Sequence, residues 1–355
     1  LSELLDFSGR SVWFNVTLFA AAAAIVWIAG TRMVRLVDRL ADRTGMGKGF
    51  AGMLLLGGIV SLTEISTVST AAFTGSPLLA LNNLLGSESI NLFLLAAVDP
   101  LTGREALTSF IAKPAMLFQG TMGIVLLAFT ALAMAVGDVL VFGVGLWSSA
   151  LFLLCLGALW MSARYEHRKV WTVQDQTEKP GDESGDDGGP DRDKHRQESL
   201  GPLCLKLTAL AGVILLAGLF LSLTGDALAE QTGLGASFVG FLLVGISTSL
   251  PELSTITAAL RMKRHEMAVG DILGSNVFNL LLVFLTDVLY VGGPVLNQVG
   301  RFEIVASLLA IVMTGILLLG LLERRDKTVL GMGYDSAAML AVFLGGVAIL
   351  YGFGG

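Results

Sequence analysis

Two glutamates stand inside stretches of the chain that are otherwise apolar. Glu64 closes the run Gly57-Gly58-Ile59-Val60-Ser61-Leu62-Thr63-Glu64, and Glu252 closes Gly245-Ile246-Ser247-Thr248-Ser249-Leu250-Pro251-Glu252. An ionisable side chain at the centre of a bilayer costs about 2.5–3.5 kcal/mol or more, so it is a functional candidate by default. An interhelical ion pair would need a Lys or Arg at the same depth, and neither stretch has one. On a helix, Ser61 and Glu64 are three apart, as are Ser249 and Glu252, while Thr248 and Glu252 are four apart. Each set shares one helical face. Carboxylate, hydroxyl and main-chain carbonyl oxygens together suit hard cations such as Ca²⁺ and Na⁺, and no His or Cys cluster is present for a softer metal. Gly and Pro weaken the helix at this point, and a helix broken at mid-membrane frees carbonyls that ligate cations. Two carboxylates brought together repel unless they are protonated or bridged by a cation.

A second polar patch follows each glutamate. Ser87 and Asn91 are four apart, as are Ser275 and Asn279, and Gly86 and Gly274 precede the serines. The pairs offer neutral oxygens, and the glycines let helices approach closely. Glu88 lies one residue, about 100°, off the Ser87–Asn91 face. It reads equally as a carboxylate at the margin of the site and as one protonated or hydrogen-bonded between helices. Ser66, Thr67, Ser254 and Thr255 read as packing residues, because hydroxyls in membrane helices commonly bond between helices. Asp99 and Asp287 read as wetted aspartates at span ends, and Asp271 as lying near the cytoplasmic end of its span. His167, His195 and His265 read as solvated loop residues, and Cys155 and Cys204 as small buried apolar ones.

The two patches are copies. Residues 45–99 and 233–287 align without a gap at an offset of 188, with 21 of 55 pairs identical. The chain is 54% hydrophobic and 15% charged, the composition of a polytopic membrane protein rather than a soluble enzyme. Its net charge of -6 comes from one short acidic stretch and leaves no basic patch for nucleic acid. Apolar runs predict spans at 11–29, 50–73, 78–98, 114–135 and 139–163, then at 203–222, 236–260, 267–289, 302–322 and 336–353. The expected fold class is therefore all-α, with ten transmembrane helices. Its units are a first repeat at 1–163, a linker at 164–202 and a second repeat at 203–355. Five spans per half is an odd number, so the second half enters the membrane from the opposite side, as an inverted repeat.

Charge tests the span count independently. On this count the loops 30–49, 99–113, 164–202, 261–266 and 323–335 share one side and, with Lys206 at the edge, hold 21 of the 23 Lys and Arg residues. Only Arg10 and Arg301 fall on the other side. Lys and Arg mark the cytoplasm, so both termini are expected outside and the 164–202 loop inside. The chain starts at Leu1, which leaves room for an upstream segment such as a cleaved signal. Residues 174–199 are rich in Asp, Glu, Gly and Pro and read as a disordered linker. The run at 182–188 lacks the Gly and final Glu of a calcium-binding EF-hand loop.

Thr248-Ser249-Leu250-Pro251-Glu252 followed by Gly274-Ser275-Asn276-Val277-Phe278-Asn279 resembles the second alpha-repeat of the calcium/cation antiporter superfamily, which includes the sodium/calcium exchangers. Ser61-Leu62-Thr63-Glu64 with Gly86-Ser87 and Asn91 resembles the first. The resemblance implies a core of spans 2, 3, 7 and 8 around a central site, with spans 1 and 6 sliding across it. It implies cation ligands at Ser61, Glu64, Ser87 and Asn91 and at Thr248, Ser249, Glu252 and Ser275, with Asn279 completing the set. Val60 stands where the family has Thr, so only its backbone carbonyl is left to ligate. Thr63 replaces Pro, so a less sharp break is expected in the first repeat. Asn279 stands where several sodium/calcium exchangers have Asp, and Glu88 where Asn is common.

The expected function is secondary active cation antiport, Na⁺/Ca²⁺ exchange first, by alternating access with competition at Glu64 and Glu252. No cofactor is expected beyond the transported ions, and the partners are inorganic cations and the bilayer of a prokaryotic inner membrane. Exchange of H⁺ for Ca²⁺, or transport of Mg²⁺ or K⁺, stays open. A channel is disfavoured because no charged ring or carbonyl filter stands out. An enzyme is disfavoured because the spans hold no nucleophile–base set.

Overall fold

The structure, a computed structural model, describes residues 7, 9–73, 75–103, 105–111, 113–166, 200–232, 239–323, 328–329 and 331–354. Most of the linker, including the acidic run at 182–188, lies outside the described residues, as do His167 and His195. Among the described residues, nine helices are long and apolar enough to cross a bilayer. They are α1 (Val12–Thr44), α2 (Lys48–Phe73), α3 (Pro77–Val98), α4 (Pro114–Val136), α5 (Leu146–Glu166), α6 (Leu200–Thr232), α8 (His265–Leu289), α9 (Arg301–Glu323) and α10 (Tyr334–Gly354). The remaining expected span is a helical segment at 239–261, α7, which is broken at Ser249 and preceded by residues outside the description. The protein is an all-α integral membrane protein.

The repeat runs through the whole of both halves. The 188-residue offset relates both ends of α1 to both ends of α6, and both ends of α5 to both ends of α10. α1 and α6 are 33 residues each, about 50 Å long, and exceed the expected spans 11–29 and 203–222. The hydropathy of α1 ends where Arg32 begins, but the helix continues as a charged extension. Gly45 stops it, in the left-handed conformation that suits glycine at a helix end.

At the centre, α3 and α8 pack on each other, α3 packs on α7, and α8 packs on α2. The close contacts are exact copies. Gly86 of α3 lies against the Phe241 carbonyl of α7, and Gly274 of α8 against the Met53 carbonyl of α2, with no space for a Cβ at either. Met53 and Phe241 are themselves repeat mates and lie in π-helical turns, at 52–56 and 239–244. A wider turn of this kind bulges the backbone toward its neighbour and is frequent at functional sites. α1 and α6 pair along one side of this core, where α1 lies on the second half of α7 and α6 on the second half of α2. α4, α5, α9 and α10 cover the other side.

Short hairpins precede the last helix of each half. Leu140–Val141 (β1) pairs with Val144–Gly145 (β2), and Thr328–Val329 (β3) with Met332–Gly333 (β4), in the same register. The expected span at 139–163 therefore starts later, at Leu146, because its first residues form the hairpin. Asp99 and Asp287 hold these hairpins and are buried, not wetted as expected. Asp99 accepts N–H groups of Leu107 at 2.7 Å and Gly333 at 2.6 Å. Asp287 accepts those of Val295 at 2.6 Å and Gly145 at 2.5 Å, with the Ser148 hydroxyl at 2.7 Å. Each aspartate of one half thus ties down a loop of its own half and the hairpin of the other. Two smaller expectations also change. Cys155 is buried but Cys204 is exposed on α6, and His265 is half-buried, stacked on Phe110 with ring centroids 4.3 Å apart.

Candidate cation site

The breaks in α2 and α7 put both glutamates at the same place in a helix. α2 is interrupted at Ser61 (φ -65°, ψ -2°) and α7 at Ser249 (φ -86°, ψ 5°), so each resumes as a new helix, Leu62–Phe73 or Leu250–Arg261. The two serines turn alike although Thr63 replaces the mate of Pro251, so the gentler break expected in the first repeat is not seen. Glu64 and Glu252 fall in the first turn of the resumed helices, where the N-terminal dipole favours negative charge. The carbonyl ends of the preceding short helices, at Val60 and Thr248, face the break.

Both glutamates are fully buried. Glu64 Oε2 accepts the Thr63 hydroxyl at 2.8 Å, while Glu64 Oε1 and both oxygens of Glu252 have no hydrogen-bond partner among the described residues. Glu64 and Asp271 lie within electrostatic reach of Glu252. Among the described residues no Lys, Arg or His forms an ion pair with any of the three. No group of three or more Asp, Glu, His or Cys side chains converges closely enough there to form a preformed metal cage. Two buried carboxylates among neutral oxygens instead need protons or a cation to relieve their repulsion.

The neutral oxygens come from both repeats. The Ser61 hydroxyl donates to the Gly57 carbonyl at 2.8 Å. The hydroxyls of Ser87 and Thr248 are 3.3 Å apart, and that of Thr248 reaches Asn83 Oδ1 at 3.1 Å. The Thr63 hydroxyl also lies 2.9 Å from the Val60 carbonyl and 3.3 Å from the Thr248 carbonyl, so it sits where the two breaks meet. Asn91 Nδ2 donates to Asn276 Oδ1 at 2.9 Å, and Asn276 Nδ2 to the Glu88 carbonyl at 3.1 Å. The hydroxyls of Ser249 and Ser275, the side-chain oxygen of Asn91 and both polar atoms of Asn279 are buried without a hydrogen-bond partner among the described residues. So are both carboxylate oxygens of Glu88, which lies within electrostatic reach of Cys155 on α5. Buried polar atoms are nearly always hydrogen-bonded, so this many at the junction of two broken helices fits a place for ions or water.

Of the residues expected to pack, Ser254 donates to the Pro251 carbonyl and Thr67 to the Thr63 carbonyl, within their own helices. Thr255 does more, since its hydroxyl bonds to the Asp271 carboxylate on α8. Asp271 lies in the second turn of α8, near the end of its span as expected, and is fully buried there. Asp271, its repeat mate Asn83, and Thr63 were not singled out from sequence as site residues. The signal for the first two was available: positions 83 and 271 are repeat mates, both polar and both within predicted spans.

Comparison with known proteins agrees with this geometry. The family model described as sodium/calcium exchanger protein matches residues 14–161 and 202–352. The putative antiporter CaxA of Alkalimonas amylolytica is 25% identical over 343 residues, covering 95% of this chain and 98% of that protein. Inner membrane protein YrbG of Escherichia coli (strain K12) is 25% identical over 287 residues, covering 78% of this chain and 80% of that protein. The fold is similar to that of the sodium-calcium exchanger NCX_Mj soaked with 100 mM Na⁺ and 10 mM Sr²⁺, with a TM-score of 0.65 at 18% identity, over 95% of this chain and 99% of that one. With a family match across both halves, this chain belongs to the sodium/calcium exchanger protein family.

Proposed function

We propose that the protein exchanges Na⁺ for Ca²⁺ across a prokaryotic inner membrane, with both termini outside and the 164–202 loop in the cytoplasm. The observation that carries this reading is the state of the two glutamates. Glu64 and Glu252 are fully buried, within electrostatic reach of each other, unpaired with any cationic side chain among the described residues, and left with free oxygens. A cation crossing the membrane supplies the missing charge. Ca²⁺ binds both carboxylates, and the hydroxyls of Ser61, Ser87, Thr248, Ser249 and Ser275, the side chains of Asn91 and Asn279 and the Val60 carbonyl complete its shell or hold Na⁺. Ca²⁺ and Na⁺ need the same glutamates, so either occupies the site but not both. Exchange follows if the loaded site passes between inward and outward states and the empty site does not. The name of YrbG as an inner membrane protein and the one-sided Lys and Arg distribution support the placement.

The test is uptake of radiolabelled Ca²⁺ into sodium-loaded proteoliposomes. Glu64→Gln and Glu252→Gln each keep the shape of the side chain but remove the charge, and each is expected to reduce uptake to background. Full activity in both variants would sink the assignment. Glu88 favours a second reading, exchange of H⁺ for Ca²⁺, because it adds a further buried carboxylate, neither oxygen of which has a partner among the described residues. Uptake driven by a pH gradient in the absence of Na⁺, and lost in Glu88→Gln, would select that reading.

A further inference from the structure

We propose that Asp271 is a cation-binding station on the cytoplasmic side of the two central glutamates, through which the ion passes between Glu252 and the cytoplasm. This rests on the central site and orientation proposed above. From Glu252, one turn along α7 toward the cytoplasm reaches Thr255, and from Ser275, one turn along α8 in the same direction reaches Asp271. The Thr255 hydroxyl joins the two by bonding to Asp271 Oδ2. Asp271 is fully buried, its Oδ1 has no hydrogen-bond partner, and no basic side chain pairs with it among the described residues. One hydroxyl does not balance the charge of a buried carboxylate, so a purely structural role would be served better by Asn. A transported cation is compensation that arrives only during the cycle. The Ser275 hydroxyl and both Glu252 oxygens, also buried without partners, provide further oxygens between this station and the centre.

The inverted repeat gives the proposal a direction. The mate of Asp271 is Asn83, which lies one turn from Ser87 toward the opposite face. Asn83 is neutral, and its side-chain oxygen already accepts the Thr248 hydroxyl. An ion coming from the cytoplasm therefore meets a carboxylate before the central site, and one coming from outside does not. The station raises Ca²⁺ capture on the side from which an exporter must load.

Inside-out and right-side-out membrane vesicles expose the two faces separately to ⁴⁵Ca²⁺. In Asp271→Asn the KM for Ca²⁺ on the cytoplasmic face is expected to rise about tenfold, as befits one lost charge in a partly screened interior. The KM on the outer face should change less, within about twofold, since an ion arriving there reaches Glu64 and Glu252 without passing Asp271, which acts on it only through its charge near Glu252. Adding Asn83→Asp to that variant should lower the outer KM instead, moving the station across the molecule. Equal changes on both faces, or none, would overturn the proposal. A Glu252→Gln control separates the two readings. If it is inactive while Asp271→Asn leaves both KM values unchanged, the central site stands and only the station falls.

Discussion

At the scale of single residues, the useful contrast is between carboxylates whose oxygens are occupied and those whose oxygens are not. Asp99 and Asp287 are as buried as Glu64 and Glu252, yet each accepts backbone N–H groups on both oxygens. They serve the fold, while the glutamates, Glu88 and Asp271 retain oxygens without partners. This separates acids whose oxygens the fold occupies from those left open to the proposed ions, which burial alone does not. Replacing Asp287 with Ala strands the N–H groups of Gly145 and Val295 and the Ser148 hydroxyl in the interior. The loss should exceed about 2 kcal/mol, given the cost of unmade buried hydrogen bonds. It should appear as a melting temperature several degrees lower in detergent, with Asp99→Ala behaving alike because its contacts are the repeat copies.

Among the elements, α1 and α6 cross the core at a matched pair of glycines but do not touch matched partners. Gly30 of α1 lies against Ser254 of α7, and Gly218 of α6 against Thr63 of α2. The mate of Ser254 is Ser66, one turn beyond Thr63. The helix pair is therefore shifted along the core from the symmetric position. On the side proposed to be cytoplasmic α1 is also fastened. Asp38 meets Lys48 at 2.7 Å and Arg264 at 2.8 Å, and Asp42 meets Lys48 at 2.5 Å. The repeat mates of Lys48 and Arg264 are Ala236 and Ser76, which cannot make such pairs. In the proposed orientation this asymmetry favours closure on the cytoplasmic face. Asp38→Asn should loosen it, and a cysteine at position 254, in a background lacking Cys155 and Cys204, should then react several-fold faster with a membrane-impermeant maleimide applied from the cytoplasm. Unchanged labelling would mean that the ion pairs do not hold the closed state.

For the whole molecule, the inverted repeat is a statement about which loops face which compartment. Arg261→Cys falls on the last residue of α7 and Gln298→Cys in the loop after α8, and both positions are exposed. In the same cysteine-free background, impermeant reagent outside intact cells should label position 298 and leave position 261 unlabelled until the membrane is opened. The reverse pattern would invert the orientation, and with it the side assigned to Asp271.

Hydropathy, the 188-residue offset and the charge distribution were enough to read spans, inversion, family resemblance and the two glutamates. These are properties of local composition, because a bilayer demands long apolar runs and penalises an uncompensated charge wherever it lies in one. Three things needed the tertiary structure. Asp99 and Asp287 became structural only when the hairpin of the opposite half was seen to donate to them. Asp271 was tied to the helix of Glu252 only when Thr255 was seen to reach it. The offset of α1 and α6 along the core followed from which residues Gly30 and Gly218 touch. Each depends on a partner far away in the chain, and whether a buried polar atom is satisfied is a property of the pair, which neither residue's own sequence context contains.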